Sequence, residues 1–138
     1  MKIGVLGAGA LAIALTKVID NDKHDITLWT KFEMEKEDIL HSRENTKLFP
    51  GVRISDDVKV TNDLSEAVVG ADVIINVLPF IAVGDIIPFL KPIYNENQII
   101  LSTTKGIDEV SRVFDLTGIF IFIKHLLIYI YLFGCAGS

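Results

Sequence analysis

The first twenty residues constrain the fold more than any other part of this sequence. A β-prone run, KIGVL (2–6), is broken by the glycine cluster GAGALA (7–12). ALAIALTKVID (10–20) follows, with apolar residues at helical spacing. The glycine segment matches G-x-G-x-x-[GA]. The pattern is weak alone and gains meaning when it leaves a strand and opens a helix, as it does here. In that setting Gly7 allows the tight turn, Gly9 lets the backbone approach a pyrophosphate, and Ala12 keeps helix and strand close. The diphosphate would sit at the helix N-terminus, held by free N–H groups and the helix dipole. A glycine turn with no ligand is the competing reading.

The rest of the chain repeats the same alternation. DITLW (25–29), VKVT (58–61), DVIINVLP (72–79) and QIILST (98–103) read as strands. EMEKEDILHSR (33–43), DLSEAVVG (63–70) and residues 81–90 read as helices, the second capped by Asn62 or Asp63. ENTKLFPGVRISDD (44–57) holds Pro50 and Gly51 and reads as a loop, and DEVSRVF after the fifth strand reads as a helix start. Strands alternating with helices imply parallel βαβ units with helices on both faces of the sheet. The near-continuous apolar strands agree, because a parallel sheet is buried on both sides. The expected fold class is α/β, a Rossmann-type doubly wound parallel sheet.

Composition narrows the partners. The net charge is −5 and the pI about 5.1, which argues against nucleic acid, since that partner needs a basic face. The single cysteine, Cys135, excludes an intrachain disulfide and fits a reducing, cytoplasmic setting. The N-terminus lacks the layout of a secretory signal. No pattern of metal ligands stands out.

Three positions beyond the glycine turn are candidate site residues. An acid about 20 residues after the turn marks NAD-type domains, where it binds the ribose 2′-OH. Here the strand end carries Trp29, Thr30 and Lys31. Lys31 would suit a 2′-phosphate, although a solvated surface lysine is the competing reading, so NADH against NADPH stays undecided. Trp29 reads as a packing residue. Pro79 closes the fourth strand at the carboxyl-end crevice, near the nicotinamide end, or is simply a strand stop. Lys105, in LSTTKGI (101–107), follows the fifth strand and faces the same crevice, where an ammonium group suits phosphate. Thr103 and Thr104 would add hydroxyl donors or cap the next helix.

Taken together, IGVLGAGALAIAL, ITLWTK, the loop REN-KLFPGV, ADVIINVLP and STTKGID resemble the N-terminal domain of the NAD(P)-dependent glycerol-3-phosphate dehydrogenases, over about residues 1–115. The resemblance implies NAD(P)H as cofactor and hydride transfer between it and dihydroxyacetone phosphate, giving sn-glycerol 3-phosphate for phospholipid synthesis. It implies that Ala10 and Leu11 contact the cofactor, that Lys31 lies beside the adenosine ribose, and that Lys105 contacts both cofactor and substrate. Ala10, Leu11 and Ala12 depart from the family's small polar residue, aromatic and glycine, and Lys31 from its arginine or histidine. The family's second, helical domain supplies the catalytic residues. The expectation is that this chain lacks it, holds no catalytic residue, and binds cofactor without turnover; at full length a homodimer is expected. Ketopantoate reductases share the opening MKIGVLGAGA, and a fragment of such an enzyme is an alternative.

Residues 116–138 form an apolar tail. Only Asp115 and Lys124 carry charge beyond Phe114, and this tail is the source of the mean hydropathy of +0.45. The run LTGIFIFIKHLLIYIYLF (116–133) reaches the lower limit for a membrane span, but Lys124 and His125 sit at its centre, where charge is most costly. Its composition is that of an A+T-rich gene read out of frame. Frameshift or truncation ranks first, extension of the sheet second, and a membrane anchor third; a non-catalytic nucleotide-binding module tethered by this tail is a further alternative. The expected domains are therefore 1–115 and a non-native 116–138.

Overall fold

The computed structural model describes residues 1–103, in which five strands and four helices alternate. They are β1 (Lys2–Leu6), α1 (Ala10–Asp20), β2 (Asp25–Trp29), α2 (Glu33–Ser42), β3 (Lys59–Thr61), α3 (Leu64–Val68), β4 (Val73–Asn76), α4 (Phe80–Leu90) and β5 (Ile99–Ser102). Lys105, the helix start at DEVSRVF, the boundary at residue 115 and the tail 116–138 lie outside the described residues. Every pairing is parallel, in the order β3-β2-β1-β4-β5. The chain runs outward from β1 to β3, then returns to place β4 on the other side of β1. The switch point therefore falls between β1 and β4, where doubly wound sheets form their ligand crevice. The register levels the carboxyl ends: Leu6 pairs with Trp29 and Asn76, Trp29 with Thr61, and Asn76 with Ser102.

The period-two alternation of each strand sorts its side chains onto two faces. Ile3 and Val5 of β1, Ile26 and Leu28 of β2 and Ile75 of β4 join Ala12 and Ile13 of α1 and Ile39 of α2 in one core. Leu6, Trp29 and Ile74 face the other way, into a core with Ala67 and Val68 of α3 and Ile86 and Leu90 of α4. Trp29 is a packing residue, as expected; it is buried and its Nε1 donates to the Asn62 carbonyl at 2.9 Å. Gly4 is the one β1 position on the α3 side with no side chain. A Cβ there would lie 2.0 Å from the Ala67 carbonyl oxygen, so α3 rests its backbone directly on the strand.

Boundaries moved by one to three residues, for local reasons. The α2 helix stops at Ser42 because Arg43 takes the left-handed conformation, φ 60°. Its guanidinium then donates to the carbonyls of Val58 (2.8 Å) and Ser55 (3.2 Å), which ties down the end of the 44–57 loop. Asp63, not Asn62, caps α3, accepting from the Ser65 backbone N–H at 2.9 Å, and Gly70 at φ 75° leads out of the helix. The β4 strand ends at Asn76, so residues 77–79 belong to the turn that enters α4.

Candidate functional site

The glycine turn sits at the carboxyl end of β1, at the switch point. Gly7 has φ 120°, a conformation that costs any L side chain, and its N–H donates to the Trp29 carbonyl at 2.8 Å. A Cβ on Gly7 would also lie 3.4 Å from the Val77 backbone. The turn into α4 that carries Pro79 is thus packed against the glycine turn. Both features make glycine a requirement of the chain itself at position 7.

Gly9 is different. Its φ is −72°, which any residue can adopt, and the nearest atom to a Cβ built there is the Leu48 Cδ1 at 4.0 Å. Nothing within the described residues requires a glycine at this position. The open space in front of Gly9 fits a group that approaches the backbone more closely than a side chain would allow.

Gly9 is also the N-cap of α1, and no side chain caps that helix. The helix opens on Ala10 and Leu11, both exposed, and on Ala12, buried in the core with Ile3 and Val5. The first intrahelical bond runs from Ile13 N–H to the Gly9 carbonyl at 3.0 Å, so the preceding N–H groups have no acceptor within the helix. The first turns of α1 and of α4 carry no acid, whereas α2 has Glu33 and Glu35 and α3 has Glu66 in that position. An acid there would repel the anion that the helix dipole attracts. A diphosphate fits this arrangement in geometry and charge.

The Gly7–Trp29 bond places the end of β2 beside the turn. Thr30 is buried there, and Lys31, next along, is exposed with no ion pair among the described residues. The Thr30 hydroxyl donates to one Glu35 oxygen, and the other Glu35 oxygen accepts from Asn45 Nδ2 at 2.9 Å. The same Nδ2 donates to the Ala8 carbonyl at 2.7 Å, and Asn45 Oδ1 accepts from Leu48 N–H at 2.9 Å. The loop expected at 44–57 therefore lies over the glycine turn, with Phe49 and Val52 packed into the α1–α2 core and Ile54 buried in it.

On the far side of the switch point, Asn76 is buried at the end of β4. Its carbonyl accepts from the Thr103 N–H (3.0 Å) and the Thr103 hydroxyl (3.2 Å). That hydroxyl fastens the segment leaving β5 to β4; the helix it was expected to cap lies outside the described residues. Exposed Pro79 starts α4, its carbonyl accepting from Ala82 N–H at 2.9 Å.

Of the sequence-predicted site residues, Gly7, Gly9, Ala10, Leu11, Lys31 and Pro79 follow the ends of β1, β2 and β4, and Ala12 lies beneath the turn. Lys105 is outside the described residues. Sequence reasoning gave no site role to Glu35, Asn45 or Asn76, and none to Gly4. A glycine inside a strand was the available signal for Gly4. Asn45 stood in a quoted loop with nothing local to show what it touches. Among the described residues there is no group of three or more His, Cys, Asp or Glu side chains that could hold a metal ion, and no helix is long and apolar enough to cross a membrane.

Comparison with known proteins adds a family to this geometry. The family described as NAD-dependent glycerol-3-phosphate dehydrogenase N-terminus matches residues 2–124. A glycerol-3-phosphate dehydrogenase [NAD(P)+] from Fusobacterium nucleatum subsp. nucleatum is 34% identical over 109 residues, 79% of this chain and 32% of that protein. The crystal structure of a glycerol-3-phosphate dehydrogenase from Coxiella burnetii superposes with a TM-score of 0.79 at 24% identity, covering 89% of this chain and 38% of that one. A glycerol-3-phosphate dehydrogenase structure from Plasmodium falciparum gives a TM-score of 0.70 at 25% identity, over 79% and 34% of the two chains. The chain spans about a third of the length of the curated relatives it matches.

Proposed function

Because this chain belongs to the NAD-dependent glycerol-3-phosphate dehydrogenase family, matching its N-terminal domain, we propose that it binds NAD(P)H across the carboxyl ends of β1, β2 and β4. The observation that carries this reading is the pairing of an uncapped, acid-free α1 N-terminus with the open space in front of Gly9. The backbone of Gly9, Ala10 and Leu11 would hold the diphosphate, with Gly7 shaping the turn and Ala12 keeping α1 close to β1. Lys31 would lie at the adenosine ribose, and the Pro79 turn beside the nicotinamide. Lys105 would meet both cofactor and substrate.

The reaction served is hydride transfer between NAD(P)H and dihydroxyacetone phosphate, forming sn-glycerol 3-phosphate, in the cytoplasm. The bound cofactor supplies the hydride. The carbonyl oxygen also needs a proton, and no described residue is assigned as its donor. The property assigned to this chain is therefore cofactor binding without turnover of its own. Isothermal titration of the 138-residue chain with NADH and NADPH tests it. Saturable one-to-one binding is expected, with no oxidation of the bound cofactor on adding dihydroxyacetone phosphate. Absence of binding would overturn the reading; turnover at an ordinary enzyme rate would overturn the assignment of binding alone.

A further inference from the structure

We propose that Asn45 is a positioning residue for the diphosphate site, acting through the Ala8 carbonyl; the inference rests on the dinucleotide-binding reading above. Asn45 is 1% exposed. Its Nδ2 donates to the Ala8 carbonyl (2.7 Å) and to Glu35 (2.9 Å), and its Oδ1 accepts from Leu48 N–H (2.9 Å). Both amide donors and the acceptor are thus engaged by three separate segments: the glycine turn, α2 and the loop. The side chain can neither turn nor flip without losing a bond.

What it holds matters because a peptide unit is planar and trans. The Ala8 carbonyl and the Gly9 N–H belong to one such plane and point in opposite directions. Fixing the carbonyl on Asn45 aims the Gly9 N–H away from the loop. This plane turns about the ψ of Ala8 and the φ of Gly9, and Gly9 has no Cβ contact closer than 4.0 Å. The glycine on its far side leaves the plane freer to rotate than it would be between two residues with side chains. The freedom that lets a diphosphate approach would also let its donor swing away, and Asn45 removes that freedom before the ligand arrives. The clamp has an anchor behind it. Glu35 accepts from both Asn45 and the Thr30 hydroxyl, and Thr30 is held in turn by its N–H bond to the Thr61 carbonyl at 3.0 Å. The amide is therefore fixed to the end of β2 and to the first turn of α2.

The test compares ADP-ribose, which carries the diphosphate, with adenosine, which does not, on the full chain by NMR titration well below its thermal transition. Asn45→Ala should bind ADP-ribose about tenfold more weakly, the effect of one lost orienting bond, and adenosine within about twofold of wild type. Equal affinity for ADP-ribose, or equal loss for both ligands, would overturn the proposal. If Asn45→Ala does not fold, Glu35 decides. Glu35→Ala removes a negative charge near an anion site, which alone should strengthen binding; we expect ADP-ribose binding to weaken instead, and Glu35→Gln, which keeps an acceptor for Asn45, to restore it. No weakening in Glu35→Ala would overturn the clamp. A wild-type chain that binds neither NADH nor ADP-ribose would remove the dinucleotide reading itself, a result distinct from a wild type that binds and a variant that binds equally well.

Discussion

Gly4 and Ala67 meet backbone to backbone: a Cβ added to Gly4 would lie 2.0 Å from the Ala67 carbonyl oxygen. No rotamer relieves such a contact, because both partners are main chain. Gly4→Ala must push α3 off β1, opening the core in which Ala67 and Val68 pack with Leu6 and Ile74. We expect a loss of about 3 kcal/mol or more, at the upper end of overpacking effects. The check is the urea midpoint at unchanged slope. A shift near zero would mean that α3 is free to slide on the strand.

Gly7 and Gly9 stand two residues apart and should separate stability from binding. Gly7→Ala places a side chain at φ 120° against the Val77 backbone and should cost about 1–2 kcal/mol of stability. Gly9→Ala meets only Leu48 Cδ1 at 4.0 Å and has an ordinary φ, so its stability should stay within about 0.5 kcal/mol of wild type. Its Cβ would instead occupy the space assigned to the diphosphate. NADH affinity should fall by about tenfold or more, equivalent to 1.4 kcal/mol. Unfolding curves and calorimetric titrations of both variants would show whether the two effects separate this way.

How much of this was legible in the sequence follows from which forces are local. The glycine turn, the five strands and the helix periods are written in residues adjacent along the chain, so the parallel sheet with helices on both faces could be read before the structure. So could Trp29 as packing, since an aromatic at a strand end has few other options. Contacts between distant segments could not be read. Asn45 reaches Ala8 across 37 residues and Thr103 reaches Asn76 across 27, and no pattern within either segment encodes the partner. The helix ends failed more gently. Arg43 stops α2 by adopting φ 60°, and its guanidinium and carbonyl are both held by the distant 54–58 segment, through Ser55, Val58 and the Ile54 N–H.

Asp63 gives the acid limb of stability a defined contributor. Its carboxylate accepts from the Ser65 hydroxyl (2.6 Å) and the Ser65 N–H (2.9 Å), and these bonds hold its pKa below the usual 3.8. A pKa lower in the folded than in the unfolded chain means that the unfolded chain takes up the proton first as pH falls. The stabilisation is therefore full above the unfolded value of about 3.8 and is lost as pH drops through the folded value beneath it. Asp63→Asn keeps a good N-cap but cannot titrate. Urea midpoints of the two proteins should differ by a constant amount from pH 7 to about 5 and shift relative to each other below about 4, with wild type losing ground. A difference that stays constant down to pH 3 would remove Asp63 from the acid limb.

Helix α4 holds two residues that weaken it without serving its packing. Gly84 is exposed, and a Cβ there would meet nothing within 4 Å. Pro88, inside the same helix, has no N–H to give the Gly84 carbonyl four residues earlier. Gly84→Ala should raise stability by about 0.5–1 kcal/mol, and Pro88→Ala by about 1–3 kcal/mol. Because Pro88→Ala supplies the donor that the residue-84 carbonyl lacks, the two should not add independently. Chemical denaturation of the two single variants and the double variant measures both the gains and the coupling. A destabilised Pro88→Ala would show that the helix needs its proline for a bend in its path.

On the proposed reading, Lys31 should set which dinucleotide the site favours. Of the acids that follow it, Glu35 accepts from Thr30 and Asn45, and exposed Glu33 pairs with Lys36 at 2.9 Å. Glu35 is thus held away from the two hydroxyls of an adenosine ribose, which an acid takes at this strand end in NAD-type domains, and Glu33 stands two residues beyond Lys31 in an exposed pair. Lys31 is exposed and has no ion pair among the described residues. An ammonium group in that place favours a 2′-phosphate. NADPH should therefore bind more tightly than NADH. Lys31→Ala should lower NADPH affinity by about tenfold and leave NADH within about twofold, consistent with one exposed charge pair at low ionic strength. Raising salt should shrink the difference in wild type and hardly affect the variant, because an exposed pair is screened. Calorimetric titrations of both cofactors at two salt concentrations supply all the comparisons. An NADPH-to-NADH ratio that does not move on removing Lys31 would return that side chain to the solvent, and the choice of cofactor would have to come from elsewhere in the crevice.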